Sequence, residues 1–303
     1  MVSSCEAEPL VKGVLGMSIN NSVNSITIVT AFFDIGRGDW STEKGHSSHL
    51  LRNNQTYLSY FENLAKLDNE MVVFTTEEIA PFVIKLRKGK KTEVVIVDLD
   101  TKFKGLLTSI KDMLKNADFM EKIPEAQRKN PEYWSEKYVL INNLKTYFVH
   151  TAIKEFDLVN DLVAWVDFGY CRDTDTLANI NNWYYNFDAQ YIHLFTLKRS
   201  KLLSVFNNPN FPYKKHQIIN CILNNKATII GGVIVGHKQI WNEFLTVVKD
   251  AQRAIYQQNM VDDDQGVYLM CNYLRPDLIK LNYLGKDNNG KKNWFGTMQK
   301  FHV

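Results

Sequence analysis

The 303-residue chain has only four cysteines, Cys5, Cys171, Cys221 and Cys271, and no Cys-x-x-Cys pair among them. That spacing argues against a zinc site and against a secreted disulfide framework, and it fits the reducing cytosol best. Long apolar runs are missing too. The one nearest the start is broken by Lys12, Gly13 and Gly16 and followed by polar Asn and Ser residues. It is too short for a signal peptide or a membrane span, so a soluble protein is expected. Charge of one sign is scarce: a formal net charge of +3 is too mild to announce a nucleic-acid binder. The one basic run, "KLRKGKK" from Lys85 to Lys91, reads either as a solvated helix end and turn or as a patch for phosphates or an anionic membrane surface. Internal repeats and low-complexity blocks are absent.

What is present suffices for a large core, since 45% of the residues are hydrophobic and 12% aromatic. "SITIVTAFF" (25–33), "EMVVFTT" (70–76), "TEVVIVDLD" (92–100) and "LVAWVDF" (162–168) are short β-branched runs that read as buried strands. Between the first two, residues 47–67 carry Leu50, Leu51, Tyr57, Leu58, Phe61, Leu64 and Leu67 at mostly three- and four-residue intervals, an amphipathic helix. Strand, helix, strand implies parallel pairing with crossover helices, hence an open α/β sheet of Rossmann-like character. Residues 101–136 read as a helical excursion, a lid or insertion rather than core, and 135–155 as one helix. A Pro/Asn loop follows at 207–213, then strand-like "ATIIGGVIVG" (227–236) and a helix over 238–258. The expected whole is a single compact unit: an N-terminal extension over 1–24, then one domain over 25–303 whose halves, about 25–176 and 177–303, share a cleft.

In open parallel sheets, ligands bind beyond the carboxyl ends of the strands. After the first strand lies "DIGRGDW", in which Asp34, Arg37 and Trp40 could serve a nucleotide, or which is a plain turn. After the fourth lies Asp167. A carboxylate at the end of a buried strand calls for a cation or a fixed donor, such as magnesium or manganese carrying a diphosphate, with Gly169 admitting a close backbone approach. Its other reading is a turn or helix cap. The second acidic cluster, Asp262, Asp263 and Asp264 with Gln265, precedes an apolar helix and reads as N-capping and dipole compensation, or as a source of a catalytic carboxylate.

The blocks "ITIVTAFFDIGRGDW", "YVLINNLKTYFVHTAI", "WVDFGY" and "GGVIVGHKQIWNEF", followed by "DDDQGVYL", resemble in their order the bacterial HtrL/YibB family and, more broadly, GT-A glycosyltransferases. The resemblance runs from about Ser25 to Leu284. It implies a GT-A-like open mixed sheet with flanking helices, and transfer of a sugar from a nucleotide-diphosphate donor to a hydroxyl of a lipopolysaccharide or other surface glycan. A cytoplasmic enzyme meeting a glycan or glycolipid acceptor at the inner face of the membrane is implied, with nucleic acid disfavoured as a partner.

Carried over residue by residue, the resemblance assigns the donor site to Thr30, Phe32, Asp34, Arg37, Trp40, Lys137, Lys145, Asp167, Phe168 and Gly169. Gly231, Gly232 and His237 fall to the acceptor, and Asp263, Asp264 and Gln265 to catalysis. Asp167 would be the first aspartate of an Asp-x-Asp motif holding Mn2+ or Mg2+, but Gly169 stands where the second belongs. Either another ligand completes the site, or Lys and Arg side chains neutralise the diphosphate. Lys137 and Lys145, eight residues apart, would share a helix face toward the phosphates or stand as solvated lysines. Asp98/Asp100 and Asp173/Asp175 are literal Asp-x-Asp matches held in reserve. Lys291, Lys292 and His302 of the tail are further candidates for the diphosphate. His237 is otherwise a cap or surface residue, and Trp40, Trp183, Tyr184 and Tyr185 are stacking platforms or core. A sugar-phosphate nucleotidyltransferase and a non-catalytic carbohydrate-binding protein with a decayed donor site are the rival readings.

Overall fold

In a computed structural model, residues 25–43, 46, 50–197, 215–226, 228–287 and 289–303 are described. The expected N-terminal extension and the loop at 207–213 lie outside them. The strands are β1 Ile26–Ala31, β2 Met71–Thr75, β3 Thr92–Ile96, β4 Leu162–Val166, β5 Ile192–Thr196, β6 Ile229–His237 and β7 Ile279–Tyr283. They form one mixed sheet in the order β3-β2-β1-β4-β6-β5-β7. β1 is parallel to both β2 and β4, β6 runs antiparallel to β4 and β5, and β7 is parallel to β5. β1, β2 and β4 are buried at every residue, as central strands covered on both faces should be.

The covering helices are α1 Asn54–Leu64, α2 Ala80–Leu86, α3 Leu99–Lys102, α4 Lys104–Leu114, α5 Ala117–Lys122, α6 Glu136–Asn143, α7 Lys145–Glu155, α8 Lys215–Leu223, α9 Trp241–Tyr256, α10 Asp264–Leu274 and α11 Thr297–Lys300. Two apolar clusters result, one on each face of the sheet. One joins α4 to α10 through Phe148, Trp165, Trp241 and Tyr268, and the other gathers α1, α2 and the C-terminal segment through Phe61, Phe168, Trp183 and Met298. This is a single α/β unit with flanking helices. Among the described residues no helix is long and apolar enough to cross a membrane.

Three elements differ from the sequence reading. Helix α1 starts at Asn54 rather than near 47, because the Asn53 side chain caps it by accepting from the Thr56 N–H. The stretch 101–136 is no lid: Ile110, Leu114, Phe119, Ile123 and Tyr133 are buried in the larger cluster. The helix expected over 135–155 breaks at Leu144 into α6 and α7. Just before the break, the amides of Asn142 and Asn143 donate back to the carbonyls of Tyr138 and Val139, and Asn143 also reaches the Asp262 carbonyl. Such side chains compete with the helical ladder.

The basic run is structural. Arg87, 2% exposed, donates to the carbonyls of Ala65, Leu67 and Asn69 and to the Thr92 hydroxyl. Lys90 pairs with Asp68 at 3.0 Å and Lys91 with Glu70 at 2.6 Å. Burial lowers the Arg87 pKa to about 10, against the pull of Asp68. The run therefore clamps the turn between α1 and β2. Arg87→Ala should strip several buried carbonyls of their donor at once and cost at least ~2 kcal/mol in urea unfolding, whereas Lys88→Ala should change little.

Candidate functional site

β1 leads on to β2 on one side and the neighbouring parallel strand β4 leads on to β5 and β6 on the other, so the connections leave their carboxyl ends in opposite directions and open a crevice between the ends of β1 and β4. A cavity of about 210 Å³ lies there, walled by the segment after β1, the start of α1, helix α6 and residues 167–169. A second, of about 170 Å³, adjoins it on the β6 side and is lined by Gly231, Gly232, Asp264, Gln265, Trp294 and Phe295. Tyr138, Asn142, Lys145, Asp167, Gly169 and Arg172 face both.

Lys145 sits at that junction. It is the first residue of α7, 3% exposed, and its ammonium lies 2.8 Å from Asp167 Oδ1, in contact with Asp264 Oδ2, and 3.0 Å from the Gly231 carbonyl. Burial opposes the charge, but Asp167 and Asp264 outweigh it and the Lys145 pKa is raised. Asp167 is held from two further sides: its Oδ1 accepts from the Trp165 indole at 2.8 Å, and its backbone N–H donates to the Gly232 carbonyl at 2.9 Å. Gly231 is required where it stands, because a Cβ there would lie 1.6 Å from Asp264 Oδ2.

The acidic cluster divides. Asp263 caps α10, accepting from the Gln265 N–H, and lines neither cavity, so the capping reading holds for it. Asp264 faces the second cavity, and the Gln265 Oε1 beside it is buried without a hydrogen-bond partner. Burial, then the neighbouring Asp167, pushes the Asp264 carboxyl upward against the stabilising ammonium of Lys145. The contact between the Lys145 ammonium and the Asp264 carboxylate is an ion pair. Behind these residues, Glu132 is buried and accepts from the Asn225 amide, and its pKa is raised to about 7 by burial and by Asp264.

The first cavity carries four cationic side chains, Arg37, Arg52, Lys145 and Arg172, against the single carboxylate Asp167. Gly36, in the left-handed region at φ 77°, turns the loop after β1. Asp34 ties that loop to α1, accepting from the Gly36 N–H at 2.8 Å and the Asn54 amide at 2.6 Å. Arg37 then lies 4.7 Å from the Trp40 ring and donates to the Tyr57 hydroxyl, which Arg52 also approaches at 3.5 Å. Arg172 packs between Tyr60 at 5.1 Å and Phe295 at 4.7 Å and donates to the Gly169 carbonyl at 3.1 Å. Its pKa is lowered, by burial first and then by the nearby Arg52. A Cβ at Gly169 would meet Tyr57 Cδ1 at 2.8 Å and Tyr60 Cδ2 at 3.3 Å, so tyrosine rings fill the place from which a second carboxylate would grow.

Among the described residues no group of three His, Cys, Asp or Glu side chains could hold a metal ion, and Asp167 Oδ1 is already occupied by the ammonium and the indole. This donor set does not fit a metal centre made by the protein alone.

Of the residues singled out in the sequence, Phe32, Arg37, Lys145, Asp167, Phe168 and Gly169 meet around the first cavity, and Gly231, Gly232, Asp264 and Gln265 around the second. The others fall elsewhere. Thr30 is fully buried in β1, and Asp34 and Trp40 support the Arg37 loop from behind. Lys137 pairs with Asp100 at 2.8 Å on the far side of the helix break and does not share a face with Lys145. His237 pairs with Leu162 at the opposite end of β4, five residues from Gly232 and roughly 17 Å away along an extended strand. It caps a turn there, accepting from the Gln239 N–H.

Both literal Asp-x-Asp matches are consumed locally, since Asp98 and Asp173 each cap the turn that follows. His302 contacts the Asn182 carbonyl, and Lys291 and Lys292 are exposed away from both cavities. Trp183 is core, donating its indole N–H to the Phe301 carbonyl. Sequence reasoning missed Arg52, Tyr57, Tyr138, Asn142 and Arg172, and it took the tail's lysines where Trp294 and Phe295 line the site. Arg172 was legible as the one cation within five residues of Asp167.

The fold and site thus define a mixed-sheet α/β protein with a two-chambered cleft at the switch point of its sheet. The chain belongs to the family described as "Bacterial protein of unknown function (HtrL_YibB)", whose model matches residues 24–303. It is 42% identical over 278 residues to Protein HtrL of Escherichia coli (strain K12), covering 92% of this chain and 93% of that protein. Among solved structures it is similar to mouse Xyloside xylosyltransferase 1 in its apo form, at a TM-score of 0.39 and 11% identity over 84% of each chain. A likeness at that level carries no functional weight.

Removing the shared cation should be costly. Lys145→Met would leave two carboxylates facing each other and should destabilise the protein by about 3–5 kcal/mol in urea unfolding, with Lys145→Met/Asp264→Asn recovering part of the loss. Glu132 gives a pH signature. Its pKa is about 4.5 in its ordinary state and about 7 in the fold, so the native state holds a proton that the unfolded chain releases between those values. Its contribution to stability is full below about pH 4.5 and lost as the pH rises through about 7. Glu132→Gln should flatten the fall in melting temperature across that window.

Proposed function

We propose that the protein is a glycosyltransferase that moves a sugar from a nucleotide-diphosphate donor to a hydroxyl of a glycan or glycolipid. The observation that carries this reading is the junction itself: Lys145, Asp167 and Asp264 in contact where a cation-rich chamber meets a second chamber lined by glycines, a glutamine and aromatic rings. Such chambers suit a charged donor and a neutral sugar acceptor respectively. The family resemblance in the order of the sequence blocks supports the same reading.

In the transfer, the acceptor oxygen bonds to the anomeric carbon as the bond from that carbon to the diphosphate oxygen breaks, and the electron pair leaves with the diphosphate. Fixed cations at the developing negative charge lower the barrier, because they need no reorganisation in a site with little water. Arg172, at the junction, fills that role. The acceptor proton passes to Asp264, whose raised affinity for a proton suits a base. Gln265 Oε1, lacking a partner, accepts from a neighbouring acceptor hydroxyl, and the Trp294 ring offers a face for a sugar. Gly231 and Gly232 keep the floor of that chamber flat.

Incubation with a panel of nucleotide sugars, with release of nucleoside diphosphate as the readout, tests the reading. Asp167→Asn and Asp264→Asn should each lower turnover at least about 100-fold; Asp167, 41% exposed at its side chain, should keep the native melting temperature within a few degrees when substituted. Full turnover in both variants, or no release from any donor, would overturn the assignment.

A further inference from the structure

The acidic groups behind the site and the cations in front of it are separated by the Lys145 contact, and this gives the first chamber a charge that its own residues do not satisfy. Lys145 is neutralised by Asp167 and Asp264. Arg37 and Arg172 remain, approaching the chamber from the loop after β1 and the loop after β4.

We infer that Arg37 and Arg172 bind the diphosphate of the ligand directly, so that the site takes a nucleoside diphosphate group without a divalent cation. The inference rests on the reading of the cleft as a nucleotide-sugar site and names how that site holds its anion.

Three observations carry it. Arg37 and Arg52 both point at one neutral oxygen, the Tyr57 hydroxyl. The Arg37 guanidinium, resting on a phenol, is poised for a stronger acceptor, and a phosphate oxygen supplies one. Arg172 is oriented in advance by its Nε bond to the Gly169 carbonyl and by the rings of Tyr60 and Phe295, which leaves its terminal nitrogens for a ligand that spans the junction. Neither Arg37 nor Arg172 has a carboxylate within salt-bridge distance among the described residues, where Lys137, Lys238, Arg253 and Arg275 all do.

Gly169 connects these facts to the missing metal ligands. Its lack of a side chain admits the Tyr57 ring, and that ring holds Arg37. The same position therefore cannot carry a carboxylate for a metal and also keep the arginine platform in place. The first turn of α1, which lines the chamber through Asn54 and Tyr57, adds a helix N-terminus favourable to an anion.

Calorimetric titration of the full chain with inorganic pyrophosphate and with UDP, in excess EDTA and again with Mn2+ or Mg2+, tests the inference. Binding in EDTA is expected, with an affinity that falls as salt rises and changes less than about 3-fold when the metal is added. Arg37→Gln and Arg172→Gln should each weaken it by about 10-fold or more. Arg37 is only partly buried, so its variant carries the test if Arg172→Gln does not fold. Binding that requires the metal, or binding unchanged in Arg37→Gln, would overturn the inference and leave the glycosyltransferase reading standing. Absence of binding by both probes under every condition would overturn the two together.

Discussion

One ammonium group, that of Lys145, holds the centre of this molecule. Two carboxylates from opposite sides of the cleft, Asp167 at the end of β4 and Asp264 at the start of α10, converge on it. Neither carboxylate could sit so near the other in a buried setting without it. Several otherwise unrelated features follow. The long helix expected before β4 must end at Leu144 so that a new helix can start with Lys145 aimed inward, and β6 must present Gly231 where the Asp264 carboxylate needs room.

Around that centre the charges are sorted by position. Protonatable acids, Glu132 and Asp262 to Asp264, are packed behind the sheet end, where burial raises their pKa values. The Arg37 and Arg172 guanidinium groups stand in front, against aromatic rings rather than, among the described residues, against acids. Aromatic faces steady a cation without neutralising it, so the chamber keeps its attraction for an anion while its side chains stay ordered.

Much of the layout was legible because it depends on local rules. The β-branched runs became strands, within a residue or two except at 92–100, where β3 stops at Ile96 and Asp98 caps a helix instead, and Asp167 could be singled out because a carboxylate at the end of a wholly apolar strand needs a partner. The partner could not be chosen from sequence, since Lys137 and Lys145 look alike until the asparagine pair at 142 and 143 breaks the helix between them. His237 misled for a related reason. A Gly-containing strand was expected to pass the site, but β6 runs antiparallel to β4, so its last residue lands at the far rim. Arg52 and Tyr57 were hidden because their roles depend on Gly169, 112 residues after Tyr57 in the sequence (169 minus 57).

The strand order also bears on how the chain matures. β1 can pair with β2 soon after both leave the ribosome, but its other edge waits for β4, where Ile26 meets Leu162, 136 residues later (162 minus 26). At ordinary rates of synthesis that interval is on the order of ten seconds. During it a nascent β1, every residue of which is buried in the finished fold, presents an open edge able to recruit foreign strands, which makes the growing polypeptide a natural client for a holdase chaperone.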